Sequence, residues 1–146
     1  MDVQDRMTKD PVTIREGETV QAAADLMRAR KIRHLPVVDA AGKLVGIVTD
    51  RDIRQILFAP RMRTRGIDLG TLADQITVGE IMSTPVVTTK PYAELADAAT
   101  IMYERKLGAL PVVEAGRVVG ILSEIDVLRA FADMTGRRLE ARPEDW

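Results

Sequence analysis

Two stretches of the chain carry apolar residues at the spacing of a helix. In residues 19–30 (TVQAAADLMRAR), positions 20, 23, 24 and 27 are apolar and share one helical face. In residues 94–105 (ELADAATIMYER), positions 95, 98, 99 and 102 repeat this spacing. Apolar residues that recur at intervals of three and four predict an amphipathic helix. The sequence therefore predicts one such helix in each half of the chain.

After each predicted helix, the apolar residues form short continuous runs separated by a turn. The runs are residues 35–38 and 44–48 in the first half, and 110–113 and 118–122 in the second half. Each pair of runs predicts a β-hairpin. The turns between them read DAAGK and EAGR, and Gly42 suits a turn position with positive φ. Pro36 and Pro111 are expected at strand starts, where a missing N–H does little harm.

Two further elements complete each half. Short apolar segments at 12–14 and 86–88 predict a strand before the first helix, and a second helix is expected at 50–57 and from 124 to about 132. The order in each half is thus β–α–β–β–α. One half alone is too small to bury both faces of its sheet. We therefore expect an α+β fold in which two β–α–β–β–α subdomains pack sheet to sheet with pseudo-twofold symmetry.

The repeat sets the expected domain boundaries. They are 1–57 for the first subdomain, 58–75 for a linker, 76–132 for the second subdomain and 133–146 for a polar C-terminal tail. The linker is longer than most connections, and it carries Arg61, Arg63 and Arg65 with no acidic residue among them. Two interpretations of the linker remain open: a solvated connection, or an arm that reaches a phosphate group or a partner.

Composition narrows the functional classes. The formal net charge of −1 on 146 residues disfavours general nucleic-acid binding, which usually needs a basic excess. The absence of cysteine excludes disulfides, thiol catalysis and zinc–thiolate sites. No stretch has the apolar length of a signal peptide or of a membrane span. A cytoplasmic protein without membrane contact is expected.

Enzymatic function has little support in the sequence. The single histidine, His34, has no nucleophile near it in an arrangement of the triad type. No phosphate-binding loop ending in Gly-Lys-Ser/Thr is present, so ATP hydrolysis is not expected. Met27 and Met102 are interpreted as core residues rather than as ligands of a metal or cofactor. We therefore expect no catalytic residue, no metal and no required cofactor.

The corner between the last strand and the last helix of each half is a repeated motif. GIVTDRD recurs as GILSEID, so that Thr49 and Asp52 correspond to Ser123 and Asp126. One interpretation is structural: the hydroxyl and the carboxylate form a capping box, although Asp reaches back to the N-cap amide less easily than the usual Glu. The other is functional: the two groups bind the sugar of a ligand. The residues alone leave both open.

The two halves together form one longer pattern. The first half reads Met7-Thr8-x-x-Pro11-Val12, then His34-Leu35-Pro36-Val37-Val38-Asp39, then Gly46-Ile47-Val48-Thr49-x-x-Asp52-Ile53. The second half repeats it as Gly108-Ala109-Leu110-Pro111-Val112-Val113 and Gly120-Ile121-Leu122-Ser123-x-x-Asp126-Val127. Over residues 3–132, the pattern resembles the CBS domain, named for cystathionine β-synthase, in the tandem arrangement called the Bateman module. The resemblance implies a stand-alone regulatory module, without catalysis, that binds adenosine-containing ligands between its halves.

The resemblance also implies two clefts, each of which combines the corner of one half with strand edges of the other half. The first cleft would hold Ile121, Ser123 and Asp126 together with Thr8, Val12, Ile32, Arg33 and His34. The second cleft would hold Ile47, Thr49 and Asp52 together with Ser83, Val86, Leu107, Gly108 and Ala109. Apolar side chains would sandwich the purine, and the carboxylate would accept hydrogen bonds from the ribose. Arg33 and His34 can pair with a phosphate, whereas Gly108 and Ala109 cannot.

Two functions remain open. One is a sensor of AMP, ADP or ATP, rather than of S-adenosylmethionine, that modulates an unidentified partner protein. The other is an interaction or assembly module with empty or vestigial clefts. The Asp present in both corners favours ligand binding. A homodimer is expected from the habit of the family and from apolar helix faces on both halves.

Overall fold

A computed structural model describes residues 1–58 and 69–136 of the chain. In the first half, a 3₁₀ turn at Val3–Asp5 precedes β1 (Thr8–Lys9), β2 (Ile14–Arg15), α1 (Val20–Arg30), β3 (His34–Val38), β4 (Leu44–Thr49) and α2 (Asp50–Leu57). In the second half come α3 (Leu69–Gln75), α4 (Val78–Ile81), α5 (Leu95–Arg105), β5 (Ala109–Glu114), β6 (Arg117–Ser123) and α6 (Glu124–Thr135). Arg61, Arg63, Arg65 and residues 137–146 of the predicted tail lie outside the described residues.

Helices α1 and α5 follow the predicted pattern and end alike. Thr19 begins α1, where its hydroxyl accepts a hydrogen bond of 3.0 Å from the backbone N–H of Ala22. Val20, Ala23 and Met27 are buried, as the helical spacing predicts. Lys31 ends α1 and Lys106 ends α5, each in the left-handed conformation. Both predicted helices are therefore confirmed to within one residue.

Two three-stranded sheets form, in the orders β2-β3-β4 and β1-β6-β5. The β3–β4 and β5–β6 hairpins are antiparallel, and Gly42 takes the predicted positive φ, at 82°. The third strand of each sheet comes from a different place: β2 lies parallel to β3, whereas β1 crosses from the N-terminus to pair with β6. The α+β class with two small sheets is thus confirmed, but the second sheet takes one of its strands, β1, from the first half.

Four element predictions need correction. The strand predicted at 12–14 lies at Ile14–Arg15, and the one predicted at 86–88 is reduced to a bridge between Thr89 and Val112. Pro36 and Pro111 are each the third residue of their strand, because His34 already pairs with Thr49 and Ala109 with Ser123. Helix α6 continues to Thr135, beyond the predicted end near residue 132.

Each hydrophobic core contains a segment from the other half. Val3 is fully buried in the core of the second half, with Met7 packed against the same core. Val78 is fully buried in the core of the first half, with Met82 packed against it. The N-terminal turn and α4 are therefore exchanged between the halves, which ties the halves together at both ends.

Part of the segment predicted as a linker is structured. Residues 69–75 form α3, which contacts α1 and α2. Leu72 and Ala73 are buried, and Ala73 belongs to the first core. Of the two open interpretations of the linker, the solvated connection is wrong for this stretch, because Leu72 and Ala73 are buried.

Candidate ligand cleft between the halves

A cavity of about 480 Å³ lies between the two halves. Its walls include all eight residues that the sequence predicted for the first cleft: Thr8, Val12, Ile32, Arg33, His34, Ile121, Ser123 and Asp126. Cavities of a few hundred cubic ångströms are typical of sites for small molecules. The fold therefore brings the whole first set together on one concave surface.

Strand pairing brings residues from both halves of the chain to this cavity. Thr8 of β1 lies opposite Ile121 of β6 in the antiparallel pair. Two residues further along β6, Ser123 ends the strand and begins α6. On the opposite wall, Ile32 and Arg33 connect α1 to β3, which starts at His34. The cavity is thus built where β6 turns into a helix and where β3 begins.

Both corner carboxylates take part in capping boxes. The Oδ2 atom of Asp126 accepts hydrogen bonds from the backbone N–H of Ser123 at 2.8 Å and from the Ser123 hydroxyl at 2.9 Å. The Oδ2 atom of Asp52 accepts one from the backbone N–H of Thr49 at 2.9 Å. We expected an Asp side chain to reach the backbone N–H of the N-cap residue poorly. That expectation is wrong, because in both corners this N–H lies within hydrogen-bond distance of the carboxylate. Within residues 1–58 and 69–136, the Oδ1 atom of Asp126 has no hydrogen-bond partner.

His34 is half-buried in the cavity wall, and its imidazole lies against Gly108 of the second half. A Cβ atom on Gly108 would come within 2.8 Å of its Nε2 atom, so residue 108 must be small for the imidazole to fit. Burial lowers the pKa of His34 below its ordinary value of 6.5. Arg33 lowers it as well, whereas the carboxylates of Asp50, Glu124 and Asp52 oppose the shift. The imidazole is therefore biased towards its neutral form.

The second predicted set is distributed differently. Ile47 and Ser83 exchange two backbone hydrogen bonds of 3.1 and 2.9 Å, the counterpart of the Thr8–Ile121 pair. Gly108 lies in the wall of the first cavity, Ala109 is buried, and Leu107 packs against the second core. Val86 is half-buried. The set is thus divided between the Thr49 corner, the first cavity and the core.

Five cavity residues that sequence reasoning missed lie close to predicted residues along the chain. They are Asp10, Pro11, Lys31, Glu124 and Ile125. Each stands within two positions of a predicted residue along the chain, so contiguity was the available signal. The side of each wall that faces the cavity depends on how the halves pack, which the sequence pattern does not give.

Residues 1–58 and 69–136 show neither a metal site nor a membrane-spanning helix. They contain no group of three or more His, Asp or Glu side chains arranged to hold a metal ion. None of their helices is both long enough and apolar enough to cross a membrane.

Comparisons with known proteins identify the same repeat. The family model of the CBS domain matches residues 2–59 and 78–133. The CBS domain-containing protein YhcV of Bacillus subtilis is 36% identical over 121 residues, which cover 83% of this chain and 79% of YhcV. In longer relatives the matched region is a minority: it spans 31% of an uncharacterized Methanocaldococcus jannaschii protein and 22% of a homoserine O-acetyltransferase of Methanohalophilus mahii.

Solved structures with this architecture hold adenosine compounds. The CBS domain pair of protein MJ0100, in complex with 5′-methylthioadenosine and S-adenosyl-L-methionine, superposes with a TM-score of 0.79 at 32% identity, covering 92% of this chain and 98% of that one. CBSX2, a CBS-pair protein of Arabidopsis thaliana, was solved in complex with AMP. It superposes with a TM-score of 0.75 at 30% identity, with the same coverage of 92% and 98%.

Proposed function

Because this chain belongs to the CBS-domain family as a tandem pair, we propose that it is a regulatory module that binds an adenine nucleotide between its halves. The observation that carries the proposal is the single cavity lined by all eight residues of the first predicted cleft. In this proposal, occupancy of the cavity by AMP, ADP or ATP changes how the module acts on a partner protein. Such a sensor would work in the cytoplasm, where these nucleotides are.

Asp126 would bind the ribose while it caps α6. Its Oδ2 atom is engaged in the cap, at 2.8 and 2.9 Å from the Ser123 nitrogen and hydroxyl, and its Oδ1 atom has no partner among the described residues. A carboxylate oxygen accepts hydrogen bonds from sugar hydroxyls, and bonds to a charged acceptor are stronger than neutral ones. Cap and sugar contact therefore use different oxygens of one side chain and do not exclude each other.

The rest of the ligand would meet walls of matching chemistry. Val12, Ile32 and Ile121 offer apolar surface for the purine ring. Arg33 and His34 stand on the wall opposite Asp126 and can donate hydrogen bonds to a phosphate. These two donors favour phosphorylated adenosine over S-adenosylmethionine, whose sulfonium is itself positive. The complexes of the two similar CBS pairs with AMP and with methylthioadenosine support the choice of adenosine as the common part.

The corner at Asp52 provides a matched control for an experiment on Asp126. We expect Asp126→Ala to weaken AMP binding about ten- to a hundredfold, because the carboxylate contact to the ribose is lost. It should also lose about 1 kcal/mol of stability through the cap. Asp52→Ala removes the same kind of cap and should lower the melting temperature similarly, but it should leave binding in the first cavity within about twofold of the parent.

Calorimetric titration with AMP, beside thermal unfolding of each variant, separates these effects. If Asp126→Ala and Asp52→Ala lower stability equally and both bind AMP like the parent, then the carboxylate is a cap alone and the site is wrong. If the parent binds none of AMP, ADP and ATP, the proposed function fails.

The alternative, an interaction or assembly module, is favoured by one surface. Five exposed large apolar side chains lie on α5 and α6: Tyr103, Ile125, Leu128, Phe131 and Met134. Apolar patches of this kind mark contact sites on soluble proteins. We propose that this surface pairs with the same surface of a second copy, so that the nucleotide sensor acts as a homodimer. The two functions are then compatible.

Catalysis is not part of the proposal. CBS pairs are generally regulatory, and the relatives with enzyme names contain the matched region as a minority of their length. His34 is the only histidine of the chain, and within residues 1–58 and 69–136 its imidazole makes no hydrogen bond to a hydroxyl group that it could activate. The cavity residues can bind and orient a nucleotide, and we assign them no bond-breaking step.

A further inference from the structure

Lysines end helices α1 and α5 in a backbone conformation that favours glycine. Lys31 has φ 55° and ψ 46°, and Lys106 has φ 56° and ψ 47°. A side chain in this left-handed region crowds the backbone, so this position after a helix is usually glycine. Non-glycine residues held there are a reason to look for function. Of the two lysines, Lys31 lines the cavity that we propose as the nucleotide site, and Lys106 does not.

Lys31 opens a short basic segment on one wall of the cavity. Ile32 follows it, then Arg33 and His34, so that three basic side chains lie within four positions. Within residues 1–58 and 69–136, neither Lys31 nor Arg33 takes part in an ion pair. Their charges are therefore available to a ligand, and an anionic group is the natural partner for them.

The wall across the cavity has the opposite character. It carries Glu124 and Asp126 at the start of α6, and Asp10 lies on the loop between β1 and β2. These carboxylates would repel a phosphate, so a phosphorylated ligand has one favourable orientation, with its phosphate towards Lys31 and its sugar towards Asp126. A ligand without a phosphate gains nothing from the lysine.

We propose that Lys31 is a specificity-determining residue of the cleft, whose ammonium binds the phosphate and makes the cleft prefer phosphorylated adenosine over neutral adenosine analogues. The inference rests on the proposed function and adds a residue that the sequence motifs did not assign. The left-handed backbone of Lys31 is shared with Lys106, so the conformation itself does not carry the assignment; what distinguishes Lys31 is its place in the cavity wall beside Arg33 and His34.

Lys106 supplies the matched control. It shares the backbone conformation of Lys31 and ends the corresponding helix, but Leu107, Gly108 and Ala109 follow it, and none of these is basic. Lys106 lines a neighbouring cavity with Tyr103 and Leu128, which shares Gly108 and Glu124 with the first cavity. A change at Lys106 therefore reproduces the backbone effect of a change at Lys31 without touching the proposed nucleotide site.

Calorimetric titration with AMP and with 5′-methylthioadenosine tests the inference, since the second compound lacks a phosphate. We expect Lys31→Gln to weaken AMP about five- to tenfold and to leave methylthioadenosine unchanged, and Lys31→Arg to retain AMP binding. Lys31→Gly and Lys106→Gly should both raise the melting temperature by about 3 °C. Only Lys31→Gly should weaken the binding of AMP.

The outcomes separate the two proposals. If Lys31→Gln binds AMP like the parent, or if it weakens both compounds equally, the assignment of Lys31 is overturned while the proposed function stands. If Lys106→Gln weakens AMP as much as Lys31→Gln, the effect is one of helix ends in general, and the assignment is again overturned. A parent that binds neither compound overturns the proposed function and the role of Lys31 with it.

Discussion

At the scale of single residues, His34 determines how the cleft should respond to pH. Burial lowers the pKa of its imidazole, helped by Arg33 and opposed by Asp50, Asp52 and Glu124. In the unfolded chain the imidazole titrates near 6.5. At pH values between the folded pKa and 6.5, the unfolded state binds more protons than the folded state. The stability contributed by neutral His34 is therefore fully present above pH 6.5 and is lost as the pH falls towards the folded pKa. The unliganded protein should therefore lose stability on mild acidification.

A bound phosphate should act on the pKa of His34 in the opposite direction to burial. An anion next to the imidazole favours its protonated form, so AMP binding is expected to take up a proton and to tighten as the pH falls from 7.5 to 6. His34→Gln should remove both effects. Because the phosphate of AMP titrates in the same range, the quantity to measure is the affinity of the parent relative to His34→Gln at each pH, with the melting temperatures of both. A ratio that stays constant from pH 7.5 to 6 would show that His34 does not meet the phosphate.

Residue-scale prediction succeeded where the chemistry is local. The spacing of Ser123 and Asp126 predicted either a capping box or a sugar site. The structure confirms the capping box, and the sugar site stays a prediction. Gly46 and Gly120 could not be explained from the sequence. In the structure, a Cβ on Gly46 would collide with Met82, and a Cβ on Gly120 with Met7. Each glycine makes room for a methionine from the other half, and that contact exists only after the halves assemble.

At the scale of elements, the exchanged N-terminal segments hold the two halves together. Val3 lies in the second core, and its backbone N–H donates a hydrogen bond of 2.9 Å to the carbonyl of Ala93. Val78 lies in the first core, and its backbone N–H donates one of 2.8 Å to the carbonyl of Glu18. The helices and hairpins were predictable because their periodicity is local. The exchange of these segments could not be predicted in the same way. A turn of three or four residues is too short to show a hydrophobic period, so its sequence does not indicate which sheet it will cover.

The exchange predicts an unusual sensitivity near the N-terminus. Terminal residues usually tolerate substitution, but Val3 is fully buried, so Val3→Ala should lower the free energy of unfolding by about 2 kcal/mol. Val78→Ala should have an effect of the same size on the first half. Gln4→Ala, at an exposed neighbouring position, serves as the control and should change stability by less than about 0.5 kcal/mol. Denaturant unfolding measures all three, and a Val3→Ala protein as stable as Gln4→Ala would contradict the exchanged arrangement.

At the scale of the whole molecule, the two halves repeat the same elements but not the same surface. Helix α3 packs against α1 and α2, and its Ala73 is buried in the first core. Phe131 stands five residues after Asp126, as Leu57 stands five residues after Asp52. Leu57 packs against the first core, whereas Phe131 is 67% exposed. The symmetry of the sequence therefore predicted the fold but not this difference, which arises because α3 covers one half.

The uncovered face of the second half leads to the prediction of a dimer. Phe131→Glu places a charge in the middle of the apolar surface on α5 and α6, so burying that surface against a second copy would require burying an unpaired carboxylate. We expect the parent to sediment as a dimer at micromolar concentrations and Phe131→Glu to sediment as a monomer. Its melting curve should remain cooperative, since this exposed side chain is not part of the core. Tyr92→Glu is the matched control, because Tyr92 is 61% exposed but lies outside both helices, and this variant should remain dimeric. Analytical ultracentrifugation distinguishes the cases: a monomeric parent, or a dimeric Phe131→Glu, would mean that the face on α5 and α6 does not join two copies.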